Sequence, residues 1–234
     1  DMDRIGSSTA QWDKEVLPLK IERIPPGEIE ARSFAIIGEE LGGIHLDPRE
    51  EPIIKRVIHT TADFEFARTL AFSPGAVEKG IEALRAGATV VTDTNMAKAG
   101  INKGNLGKLG GDVFCFMSDP DVASEAKSRG VTRAEICMER AAALRRPVII
   151  AVGNAPTALI RLSELMEEGR ISPALVVGVP VGFVNVIPAK ELILQSAVPH
   201  IVIKGRKGGS NIAAAIVNAL MLQALAQGEE SSIL

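Results

Sequence analysis

Tyrosine is absent from this 234-residue chain, tryptophan occurs once, and aromatic residues make up only 3% of it. Platforms for single-stranded nucleic acid stack bases on aromatic rings, so that class is excluded. Cysteine is nearly as scarce. Cys115 and Cys137 are the only two, and they offer neither a disulfide framework nor zinc-ligand spacing. Both sit in apolar stretches, where a buried free thiol is the ordinary outcome, and a reducing cytoplasm is the expected compartment. No run approaches the ~18 apolar residues that span a bilayer, and the first residues carry no signal-peptide pattern. Charge of neither sign dominates, with 26 Lys and Arg against 29 Asp and Glu for a net charge of −3. A general nucleic-acid surface is thereby excluded, and any basic patch must be local. The patterns GxxxxGKS/T, GxGxxG after a strand, and GxSxG are all missing. Their absence argues against a P-loop, a dinucleotide-dependent oxidoreductase and a serine hydrolase elbow.

What is present reads as one α/β domain. Residues 1–24 are polar and irregular, end at Pro25-Pro26, and are expected to form an arm; residues 25–234 form the single domain. Short apolar runs at 88–92, 112–117, 147–152, 174–178 and 201–204 alternate with helical segments near 74–86, 120–129, 132–144, 156–169, 190–196 and 212–226. Two further helices precede them, near 27–41 and 52–60. Such alternation predicts a three-layer α/β/α fold with a five-stranded parallel sheet in a flavodoxin-like arrangement. Ligands of such sheets bind beyond the carboxyl ends of the strands. Asp93, Asn95, Ser118, Asn154, Phe183 and Arg206 are therefore expected along one edge.

The stretch Lys204-Gly-Arg-Lys-Gly-Gly-Ser-Asn211 joins the last strand to the last helix. Its glycines permit close backbone approach, and Ser210 or Asn211 can cap the helix. Amides at a helix start together with Lys204, Arg206 and Lys207 would receive a large anion. A tight turn with merely solvated charges fits the local sequence equally well. Asn154-Ala-Pro-Thr157 offers a second helix start, with its amides and the Thr157 hydroxyl as anion donors. Arg133, at the start of another helix, is a surface cation or a carboxylate grip.

Of three histidines, His45 and His200 read as structural or solvated. His59 lies between Val57-Ile58 and Thr60-Thr61-Ala62-Asp63. Hydroxyls and a carboxylate can fix an imidazole tautomer and leave one nitrogen for proton transfer; a purely structural histidine is equally consistent with the spacing. No set of residues has metal-ligand spacing, so no metal is expected. The inventory suits positioning and proton chemistry on a polyanionic organic ligand.

Several long motifs occur together in order: Arg32-Ser-Phe-Ala-Ile-Ile37, Val57-Ile-His-Thr-Thr-Ala-Asp-Phe64, Thr92-Asp-Thr-Asn-Met96, Gly153-Asn-Ala-Pro-Thr-Ala-Leu159, Gly178-Val-Pro-Val-Gly-Phe-Val184 and Gly205-Arg-Lys-Gly-Gly-Ser210. In these the chain closely resembles the precorrin-8X and cobalt-precorrin-8 methylmutases, from about residue 28 to 226. The resemblance implies an isomerase of cobalamin biosynthesis that moves a methyl group from C-11 to C-12 of a corrin ring. It implies a homodimer without a redox cofactor, with His59 as acid, Arg32, Ser33 and Arg133 at the substrate, and Gly208, Gly209 and Ser210 beside it. The Cys115–Pro120 stretch looks more like the cobalt-containing branch. A non-catalytic tetrapyrrole carrier is the alternative. No nucleic acid and no membrane is expected as a partner.

Overall fold

The structure, a computed structural model, describes the backbone of residues 21–231 and the side chains of 21–226. The arm expected over residues 1–24 thus falls almost wholly outside the described residues. Four strands, β2 (Thr89–Thr92), β4 (Val148–Val152), β5 (Leu175–Gly178) and β6 (His200–Ile203), are buried along their whole length. Their apolar runs do not alternate, because helices cover both faces. Val90, Ile149, Ala151, Leu175, Val177, Ile201 and Ile203 belong to one core, while Val91, Ile150, Val152, Val176 and Val202 belong to the other. The period of two along each strand sends successive side chains to opposite layers.

The first layer contains α1 (Ile29–Leu41), α2 (Glu51–Thr61), α4 (Ala76–Arg85) and α11 (Ser210–Ser231). The second contains α7 (Pro120–Arg129), α8 (Arg133–Ala142), α9 (Pro156–Glu167) and α10 (Val186–Leu194). Short helices α3 (Phe66–Thr69), α5 (Asn95–Gly100) and α6 (Lys103–Lys108) are also present. α5 and α6 start where the Thr94 and Asn102 side chains accept amide hydrogen bonds, the usual role of Thr and Asn at an N-cap.

All five expected strands are present, but among the described residues the sheet has six. The order is β1-β6-β5-β4-β2-β3, with β3 at Val113–Phe114 and β1 at Leu70–Phe72. The five parallel strands alone follow the flavodoxin-like order, with its switch point between β2 and β4. β1 corrects the expected count and the expectation of a wholly parallel sheet: it pairs antiparallel with β6, Leu70 opposite Ile203. Three half-buried residues carry no strand signal of their own; they are ordered because the edge of β6 has unpaired backbone groups to satisfy. Ser73 extends this pairing, since its hydroxyl accepts the His200 N–H at 2.8 Å. α4 starts only after Gly75. α10 also begins four residues before the expected Lys190. Pro188 lies in its first turn, where a missing N–H costs nothing.

Candidate active site

α2 is amphipathic by spacing. Ile53, Ile54, Val57 and Ile58 are buried, so Arg56, His59 and Thr60 face outward, and the helix stops where Ala62 turns left-handed at φ 54°. The carboxylates just beyond meet the loop that follows β6. Lys207 Nζ donates to Asp63 Oδ2 at 2.6 Å and to Glu65 Oε2 at 2.8 Å. These bonds raise the Lys207 pKa and lower that of Asp63. Lys207 thus clamps the glycine loop to the end of α2 and is not the free cation that the sequence suggested.

The loop itself is set by close approach. A Cβ on Gly208 would lie 2.1 Å from the Val179 carbonyl oxygen, and the Gly209 N–H donates to that same oxygen at 2.9 Å. Gly209 adopts φ +149°, a conformation L side chains rarely take. A Cβ on Gly153, at the end of β4, would lie 2.6 Å from Ser210 Cα. The expected capping role of Ser210 is corrected: Gly209 O accepts from Ile212 and Ala213, while the buried Ser210 hydroxyl bonds Thr94 Oγ1 at 2.8 Å. Sequence reading also missed Lys190, which entered it only as the start of a helix. Its side chain is 1% exposed, and Nζ donates to Gly205 O and Lys207 O, both at 2.8 Å. Burial pushes its pKa down to about 8.

His59 is exposed and lies nearly flat on Phe34, with ring centroids 5.2 Å apart and 18° between planes. Arg56 packs on the same ring at 4.7 Å. The neighbours expected to fix the imidazole do something else. Thr60 and Thr61 donate back to the Arg56 and Val57 carbonyls of their own helix, and Asp63 is taken by Lys207. A threonine near a helix end has its i−4 carbonyl closer than any side chain. His59 makes no hydrogen bond among the described residues, so both ring nitrogens are available. It borders a cleft of about 440 Å³ that it shares with Asn102, Asn105, Asn211 and Asn218. On its other side is a groove of about 320 Å³ lined by Ser33, Ile36 and Phe64. The Ser33 hydroxyl donates to Ile29 O at 2.9 Å. A larger hollow, about 1130 Å³, lies at the opposite edge beside Pro147, Pro173 and Pro199, and none of these groups lines it.

Asp93 is a correction. It is fully buried, and its carboxylate accepts the amides of Gly153 (2.8 Å), Asn154 (2.8 Å) and Ala155 (2.6 Å). Burial raises its pKa against the opposing pull of those amides. The start of α9 therefore already holds an internal anion, and neither Asp93 nor those amides remain for a ligand. The Thr157 hydroxyl is likewise occupied, at 2.9 Å from Thr132 Oγ1; the Asn154 side chain is exposed. Asp93→Asn would set an amide donor against an N–H, costing about 1–3 kcal/mol. The expected result is a melting temperature several degrees lower by calorimetry; an unchanged value would mean that the carboxylate is dispensable.

Asn95, Ser118, Phe183 and Arg206 follow the carboxyl ends of β2, β3, β5 and β6, while Arg133 opens α8 and Arg32 lies on α1. Arg133 donates to Met117 O at 3.4 Å, and Asn95 donates to Ser118 Oγ at 2.7 Å. Arg206 sits over Phe183 at 5.8 Å, and that ring is 84% exposed. Arg32 pairs weakly with Glu22 at 3.5 Å. No three His, Cys, Asp or Glu side chains among the described residues could hold a metal ion.

The model of the precorrin-8X methylmutase family matches residues 28–223. The chain belongs to this family. It is 44% identical to the cobalt-precorrin-8 methylmutase of Priestia megaterium over 90% of this chain and 92% of that one. It is 46% identical to the cobalt-precorrin-8 methylmutase of Salmonella typhimurium, over 84% and 94% of the two chains. The crystal structure of precorrin-8x methyl mutase from Thermus thermophilus superposes with a TM-score of 0.79 at 41% identity, covering 86% of this chain and 99% of that one. Methylmutases of this kind are isomerases of cobalamin biosynthesis, and this chain is such an enzyme. Among the described residues of this methylmutase, no helix is long and apolar enough to cross a membrane.

Proposed function

We propose that this methylmutase takes a corrin polycarboxylate and moves its methyl group from C-11 to C-12, with His59 as the acid. The C-11–methyl bond breaks as the C-12–methyl bond forms. Protonation of the ring draws electron density toward the migrating terminus, and the proton is returned afterwards. Nothing is oxidised or reduced overall, so the reaction as proposed calls for no redox cofactor. The observation that carries this reading is the imidazole itself: exposed, braced on Phe34, and without a hydrogen bond among the described residues, at the mouth of a cleft that reaches Asn211. Cobalt-precorrin-8 is the preferred substrate, because the two curated relatives compared above carry that name. Residues 25–234 act as one domain, in the cytoplasm, as a homodimer whose second copy walls the open clefts.

The shift turns C-11 from tetrahedral to trigonal and lengthens the conjugated path, so turnover reads out as a change in visible absorption. Full-length protein incubated with cobalt-precorrin-8 is expected to give that change. Tight binding without it would identify a carrier, and a fully active monomer by light scattering would overturn the shared pocket.

Carboxylates of the substrate are held by Arg32, Arg133, Arg206 and the loop ending at Ser210. A charge-assisted hydrogen bond contributes about 1.5–3 kcal/mol. Arg206→Ala is therefore expected to weaken product binding by roughly ten- to a hundredfold. Unchanged affinity by titration would return Arg206 to a solvated partner of Phe183.

A further inference from the structure

Lys190 is hard to explain as a device for stability. An ammonium taken out of water is costly, and a buried charge is normally offset by an opposite one. Among the described residues no carboxylate pairs with Lys190; two neutral carbonyls, Gly205 O and Lys207 O, receive it instead. A methionine would fill the same space without the penalty. The cost is explained if the orientation of those carbonyls matters.

In a planar trans peptide the C=O and the following N–H point in opposite directions. Turning Gly205 O and Lys207 O toward Lys190 turns the N–H groups of Arg206 and Gly208 away from it. Neither amide has an acceptor among the described residues, although the adjacent Gly209 N–H bonds Val179 O. The arrangement is held from outside the loop as well, by Gly208 against the Val179 carbonyl and by Lys207 on Asp63 and Glu65. Two backbone donors without an acceptor among the described residues, turned away from a fixed positive charge, are each free to receive a carboxylate oxygen.

We infer that Lys190 is a positioning residue for substrate recognition, and that the Arg206 and Gly208 amides it turns outward donate to carboxylates of the corrin polycarboxylate. The buried ammonium then finds its counter-charge in the substrate, across the peptide units it orients. This rests on the reading that the ligand is a corrin polycarboxylate, and it adds a residue that would never touch that ligand.

The test combines amide NMR with kinetics on the full chain, using the corrinoid product as probe. In the parent enzyme the Arg206 and Gly208 amide resonances are expected to move downfield on product binding, as they do when an amide gains a carboxylate. Lys190→Met is expected to raise KM and the product Kd at least tenfold, with kcat falling far less, and to abolish those two shifts. Lys190→Gln, which keeps a donor without the charge, should recover part of the affinity. Parent affinity in Lys190→Met, or product bound by the parent without movement of either amide, would overturn the inference; the second measurement decides even if Lys190→Met fails to fold. A parent enzyme that neither binds nor converts any corrinoid would instead sink the substrate reading, and this inference with it.

Discussion

His59→Asn is expected to fold, to bind the corrinoid product with affinity close to the parent's, and to turn substrate over at least about a hundredfold more slowly. The argument starts from the helix. Burial of Ile54, Val57 and Ile58 fixes which face of α2 is exposed, so residue 59 presents its ring to solvent whatever its chemistry. Phe34 supports that ring from one side, and asparagine retains a flat polar group there. What asparagine cannot do is give and recover a proton, which imidazole does near neutral pH. A structural contribution would show as lost affinity or lower stability, a catalytic one as lost kcat alone. Near-parent turnover in a folded His59→Asn enzyme would make His59 a packing partner of Phe34 and send the search for the acid elsewhere in the cleft.

The second large effect is expected at Gly208. The Cβ of an alanine there would sit 2.1 Å from Val179 O and 2.7 Å from Pro180 O. Both contacts are backbone, so no side chain can swing aside to relieve them; the loop must lift from β5. Overpacking of this kind costs about 1–3 kcal/mol. Lifting would also break the Gly209 to Val179 hydrogen bond and displace the carbonyls that Lys190 holds. Gly208→Ala is expected to lower the melting temperature by several degrees and to weaken product binding more than tenfold. Gly107→Ala supplies the control, because nothing lies within 4 Å of its added carbon and it is helical. Equal behaviour of the two variants would show that the loop has room to move and that its packing against Val179 carries no function.

The residues that fixed their own conformation were legible in the chain. Buried runs such as Val148–Val152 and Leu175–Gly178 read as parallel strands because helices cover both sides and leave no reason to alternate. The amphipathic spacing of α2 and the glycine-rich turn after β6 were equally local, and so was the edge on which Asn154, Phe183 and Arg206 fall. Only the tertiary structure decided where the polar groups are spent. Asp93 meets amides 60 to 62 positions away, Lys207 meets carboxylates 142 to 144 positions away, and Ser210 meets a threonine 116 positions away. Propensity and periodicity report what a segment does with its own neighbours. A buried carboxylate, a buried ammonium or an edge strand is settled by which distant backbone groups the packed core leaves unsatisfied. That is why Asp93 read as a ligand contact, Lys190 as no more than the start of a helix, and Leu70–Phe72 as no strand at all.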